Sequence, residues 1–152
     1  MIVVRSSEDR TAVVRFLFRV CMEELRPEVS SAPFTPQSLA AVIRSWLVVE
    51  LYDTEKEVVI GAISREPNGF VHIYVDGSRR ASWKPHTSLQ AALDIFLSDC
   101  DTLYAGIPEE HAVVIRIVRK LGFVHVRTEG GIALYLLTSQ TRKRWRPASA
   151  RG

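Results

Sequence analysis

Two hydrophobic periodicities alternate along the chain. Runs of alternating or continuous apolar residues, the pattern of strands, fall at 2–5, 47–52, 58–65, 70–75, 103–107, 123–128 and 132–137. Between them, apolar residues recur every three or four positions, as on one face of a helix. The first helical stretch carries Val14, Leu17, Phe18, Cys21, Met22 and Leu25, with Ser7 as N-cap and Glu8 and Asp9 in the first turn. Arg26-Pro27 ends it, because a residue before proline avoids the helical region. Thr35-Pro36 reads as an N-cap with proline at the first helical position, opening a short helix with Leu39, Ile43 and Trp46 inward. Pro85 opens a third, with Leu89, Ala92, Leu93, Phe96 and Leu97 inward. In the fourth, 111–121, Val114, Ile117, Val118 and Leu121 share a face, and Arg119 and Lys120 complement the negative end of the dipole. Gly122 stands where a left-handed residue commonly stops a helix. Asp53-Thr54-Glu55-Lys56 and Glu66-Pro67-Asn68-Gly69 are the turns of the strand-rich middle.

The resulting order, β-α-α-β-β-β-α-β-α-β-β, argues for an α/β (α+β) arrangement of helices on one mixed sheet. A length of 152 residues suits one domain. With 47% hydrophobic and 24% charged residues, the composition is that of an ordinary soluble protein. The apolar runs are too short to cross a bilayer, and the first residues lack the architecture of a signal peptide. A cytoplasmic protein without membrane partners is therefore expected. Cys21 and Cys100 have no metal-ligand spacing and read as reduced thiols, so no metal is expected.

The element order, with Lys120-Leu121-Gly122-Phe123 joining the last helix to the next strand, resembles the GNAT N-acetyltransferase superfamily. The resemblance runs from about residue 2 to 138. It implies a mostly antiparallel sheet flanked by helices, a GNAT-like domain at 1–138 and a basic C-terminal arm at 139–152. In size and in its short loop at 75–89, the chain is closest in character to short bacteriophage-encoded GNAT-like proteins.

The superfamily resemblance also implies where chemistry should sit. Acetyl-CoA is held by a loop of the type Q/R-x-x-G-x-G/A, whose backbone N–H groups close on the pyrophosphate at a helix N-terminus. Counting back from Leu89, Ser82, Lys84 and His86 occupy the glycine-like positions, and Pro85 has no N–H. Arg79, Arg80, Ser82 and Lys84 are the residues left to contact such a cofactor. Against the pattern N-x-x-A-x-x-L-Y-x-K-L-G-F, His111 replaces the asparagine, Val114 the alanine and Val118 the tyrosine that protonates the leaving thiolate. Valine has no exchangeable proton, so this general acid is missing. A base is sought on the strand at 70–75, where Phe70, His72 and Tyr74 share a face. His72 is the side chain there that takes and gives a proton most readily near neutral pH. The catalytic candidates are His72 and His111, with Glu50 and Asp76 behind them as carboxylates expected to be solvated.

Arg142, Lys143, Arg144, Arg146 and Arg151 put five basic residues into the last eleven positions, with Trp145 among them. An aromatic ring inside a basic cluster offers an anchor as well as charge. Arg142, Lys143, Arg144, Trp145 and Arg146 are thus expected to bind protein subunits of a homo- or hetero-oligomeric assembly, with nucleic acid as the second reading. Removing 141–152 should then change stability by less than about 1 kcal/mol. The missing glycines and tyrosine favour a non-catalytic structural or docking component of a larger assembly, such as a bacteriophage virion (tail or portal-associated), with no cofactor. The alternative is an active N-acetyltransferase that moves acetyl from acetyl-CoA to an amine.

Overall fold

The computed structural model describes residues 2–6, 10–24, 35–76 and 83–145, the side chains of 21–24 excepted. Along the chain these form β1 (Ile2–Ser6), α1 (Thr11–Glu24), α2 (Pro36–Val42), a 3-10 turn (Ile43–Ser45), β2 (Leu47–Asp53), β3 (Val58–Arg65), β4 (Val71–Val75), α3 (Pro85–Phe96), β5 (Thr102–Pro108), α4 (Ala112–Lys120), β6 (Val124–Glu129) and β7 (Ile132–Thr138). This is the order expected from the periodicities. The chain divides into two compact units, Met1–Pro67 with His72–Trp83, and Asn68–Val71 with Lys84–Gly152.

In the first unit the strand order is β1-β2-β3-β4, with β1–β2 and β2–β3 antiparallel. Strand β3 is buried from Val59 to Arg65, so both of its faces are covered. Val13, Val14, Phe16, Leu17 and Val20 of α1 join Leu39, Ile43, Val48, Val59 and Ala62 in one core, with Trp46 and Tyr74 packed against it. The buried stripe of α1 is therefore rotated from the expected one, taking in Val13, Phe16 and Val20. Apolar residues fill so much of 12–20 that their spacing alone does not select a face. Ser7, Glu8, Asp9, Arg26 and Pro27, and the side chains of Cys21, Met22 and Leu25, lie outside the described residues. The expected Thr35 cap is formed: its hydroxyl accepts from the Ser38 N–H at 3.1 Å, and the Ser38 hydroxyl accepts from the Thr35 N–H at 2.9 Å.

The second unit holds a three-stranded antiparallel sheet in the order β5-β7-β6. Phe70 adds an isolated parallel bridge to Tyr104, and their rings stack with centroids 5.3 Å apart. Ala92, Leu93 and Phe96 of α3, Leu103, Ala105 and Ile107 of β5, Leu121, Phe123, and Ala133, Tyr135 and Leu137 of β7 are its buried apolar residues. The edge strand β6 is exposed along its whole length. No helix among the described residues is long and apolar enough to cross a membrane.

Candidate active site

His72 lies on β4, just past the turn that Asn68 and Gly69 make. The Asn68 side chain accepts from the Phe70 N–H at 3.2 Å, and Gly69 has φ +95°. That turn brings the strand back so that His72 Nε2 meets Glu66 Oε2 at 2.7 Å. The two side chains keep 33% and 27% of their exposure, so the pair can be reached from solvent. An ionised carboxylate can only accept. The proton of the neutral ring is then held on Nε2, and Nδ1 presents its lone pair with no partner among the described residues. The Trp46 ring covers the imidazole, with centroids 5.2 Å apart and planes 13° from parallel. Trp46 is in turn held through its backbone, because its carbonyl accepts from Arg10 Nη2 at 2.6 Å.

The secondary carboxylates are paired elsewhere, and the burial of Glu50 corrects the expectation that it is solvated, while Asp76 stays partly exposed. Glu50 is 3% exposed in the covered strand β2 and accepts from Arg5 Nε at 2.7 Å. Asp76 accepts from Arg19 Nη2 at 3.1 Å.

His111 is the N-cap residue of α4, exposed, and makes no side-chain cap bond. Val118 is half-buried in the same helix. In the second unit Lys84 is the exposed N-cap of α3, with Pro85 at the first helical position. The first helical N–H has no acceptor in any helix, so proline costs nothing there. The next two, of His86 and Thr87, point out of the helix end, and the ladder starts with Ser88 N–H to the Lys84 carbonyl at 3.4 Å. The residues present thus keep donors and a cation suited to a pyrophosphate. Arg79, Arg80 and Ser82 lie outside the described residues.

The described part of the C-terminal segment, residues 139–145, packs on its own unit. Arg142 reaches Asp94 Oδ1 with Nη1 at 2.7 Å and the Gln90 carbonyl with Nη2 at 3.1 Å, leaving 15% of its side chain exposed. Gln90 Nε2 donates to the carbonyls of Trp145 and His86 at 2.8 and 2.7 Å. The Trp145 ring sits edge-on to His86 at 5.7 Å, with Lys120 Nζ 5.0 Å from its centroid. Arg144 is 3.7 Å from Asp94 and, like Lys143, is exposed. Arg146 lies outside the described residues.

Sequence reasoning singled out His72 but missed Glu66, Trp46 and Arg10. A carboxylate six residues before a histidine, across a strong turn signal, could have marked Glu66. Nothing local could have marked the other two, which reach the site from 26 and 62 positions away in the chain.

No protein-family model matches the sequence, and no curated protein matches it. Solved structures do. A candidate acetyltransferase from Acinetobacter baylyi matches with a TM-score of 0.72 at 15% identity, over 93% of this chain and 94% of that one. Mutant forms of the spermidine/spermine N-acetyltransferase of Vibrio cholerae match with a TM-score of 0.68 at 12% identity, over 92% and 96%. A candidate acyl-CoA N-acyltransferase from Klebsiella pneumoniae matches with a TM-score of 0.61 at 13% identity, over 91% and 97%. The chain therefore has the GNAT fold, a mixed α/β architecture with an antiparallel sheet flanked by helices.

These likenesses correct the expectation of a non-catalytic structural or docking component of a bacteriophage virion. The proteins matched along nine-tenths of the chain are described as acyltransferases, and the expectation of no enzyme and no cofactor falls with it. Pro85 does not support the overturned expectation, because at the first position of α3 it leaves the N–H groups of His86 and Thr87 in place.

Proposed function

We propose that this chain is an N-acetyltransferase that moves the acetyl group of acetyl-CoA to an amine, with His72 as the general base. The observation that carries this reading is the 2.7 Å contact between His72 and Glu66 on an accessible strand of a GNAT fold. Acetyl-CoA supplies a thioester carbonyl for attack. His72 Nδ1 takes a proton from the acceptor ammonium and frees its lone pair. Glu66 holds the opposite ring proton and stabilises the imidazolium that forms. Lys84 and the N–H groups of His86 and Thr87 hold the pyrophosphate, helped by Arg79, Arg80 and Ser82. His111 contributes a donor at the start of α4. Val118 supplies no proton, so the thiolate leaves without help from that side chain. The likeness to a spermidine/spermine N-acetyltransferase supports an amine as acceptor and makes polyamines the first ones to try. On this reading 1–138 is the catalytic domain. The segment 139–152 would meet a partner subunit through its exposed Lys143 and Arg144.

The test is thiol release from acetyl-CoA with spermidine and a panel of primary amines, alongside calorimetric titration of acetyl-CoA. Binding in the micromolar range with amine-dependent thiol release is expected. His72→Ala should lower kcat/KM by about 10²–10⁴-fold, the usual weight of a general base, with acetyl-CoA affinity retained. No binding and no turnover with any amine would defeat the reading, and wild-type turnover in His72→Ala would remove His72 from it.

A further inference from the structure

We infer that Arg10 and Trp46 are positioning residues for the His72 base, acting through the backbone turn at Ile43–Ser45; the inference rests on the reading of His72 as base. The Arg10 guanidinium spans the end of that turn, with Nη1 donating to the Ile43 carbonyl and Nη2 to the Trp46 carbonyl. The Ile43 carbonyl also accepts the N–H that closes the turn, and the Trp46 carbonyl lies just past the turn at the entry to β2. The planar arginine fork reaches both carbonyls at once, which a lysine ammonium cannot do in the same fixed geometry.

Trp46 follows the turn as its C-cap, extended at φ −85° and ψ 150°, with its N–H donating to the Ile43 carbonyl at 3.0 Å. It leads directly into β2. Arg10 immediately precedes α1, and its own carbonyl accepts from the Val14 N–H at 2.8 Å. One side chain thus ties the start of α1 to the start of β2 and sets where the indole lies.

The indole and Glu66 constrain His72 in complementary ways. A stacked ring fixes the plane of the imidazole but permits the half-turn about Cβ–Cγ that exchanges the two edges of the ring. The hydrogen bond to Glu66 selects one of the two orientations and the ring nitrogen that carries the proton. Both are needed to hold the Nδ1 lone pair in one direction. Catalytic geometry of this kind is sensitive, since a misplacement of about 1 Å can lower a rate by about 10²-fold.

The experiment uses full-length protein with ¹⁵N-labelled histidine, observed in mildly alkaline buffer without acetyl-CoA. Wild-type His72 should show the Nε2-protonated tautomer. Glu66→Ala should mix the tautomers, and Trp46→Leu and Arg10→Met should broaden or shift the His72 ring signals. Trp46→Phe, which keeps a flat ring, should restore them. In kinetics, Arg10→Met and Trp46→Leu should lower kcat about tenfold or more with the KM for acetyl-CoA unchanged, and Trp46→Phe should recover most of it. Arg10→Lys, which keeps the charge, should resemble Arg10→Met. Ring signals unchanged in Trp46→Leu, or in both Arg10 variants, would overturn the inference. Altered signals in a protein that acetylates no amine would leave the positioning intact and defeat the acetyltransferase reading instead.

Discussion

Gly122 lies directly beneath Thr141: a Cβ added at Gly122 would collide with the Thr141 carbonyl oxygen and come within 2.7 Å of the Lys143 nitrogen. The glycine ends α4 with φ +101°, and the segment after β7 crosses over it as the Lys143 N–H donates to the Leu121 carbonyl at 2.9 Å. One position thus meets two demands, a left-handed backbone and room for a second chain segment.

Gly122→Ala is expected to lose about 3 kcal/mol or more, because the strain of a left-handed alanine adds to displacement of the crossing segment. Chemical denaturation checks this. A loss below about 1 kcal/mol would mean that the C-terminal segment does not sit on Gly122 in solution.

Truncation after Gln140 should destabilise the protein by about 2–3 kcal/mol, through loss of the Arg142 contacts to Asp94 and Gln90 and the packing of Trp145. This replaces the expectation of a change below about 1 kcal/mol. Arg142→Met should account for about 1 kcal/mol of it, since Asp94 is 53% exposed and its ion pair is screened by solvent. Equal denaturation midpoints for the truncated and full-length proteins would refute it.

Gly61→Ala should lower stability by about 1–3 kcal/mol, as overpacking does. A Cβ there would come within 2.7 Å of the Tyr74 carbonyl oxygen and 2.8 Å of Leu51 Cδ1. Because Tyr74 shares β4 with His72, amide shifts along β4 should move as well. A spectrum unchanged over 71–75 would count against this packing.

Lys84→Glu should weaken acetyl-CoA binding about tenfold at low salt, since it reverses the charge at the end of α3 where anions are favoured. The difference should shrink as salt is raised, because exposed charges are screened. Calorimetry at two ionic strengths decides, and equal affinities would take Lys84 out of the cofactor site.

How far the candidate site could be read in advance depended on the range of each interaction. His72 was recognisable because strand alternation puts residues 70, 72 and 74 on one face and only one of them is a histidine. Glu66 was within reach of the same logic, being just across a turn whose residues announce it. Arg10 and Trp46 were not, since they act through carbonyl oxygens that every residue possesses. The contacts of Arg142 and Trp145 were illegible for a related reason: nothing near them in the chain marks Asp94, Gln90 and His86 of α3 as the groups they reach.

The elements and their order were legible in the chain, because strand and helix periodicities, caps such as Thr35-Pro36 and stops such as Gly122 act over a few residues. Tertiary structure alone decided which face of α1 is buried, where Glu50 ends up, what holds the His72 ring and where residues 141–145 lie. Each of these depends on pairing groups far apart in the chain. A buried charge or an unsatisfied carbonyl requires a partner but does not name it, and the fold supplies that partner by bringing two distant segments together.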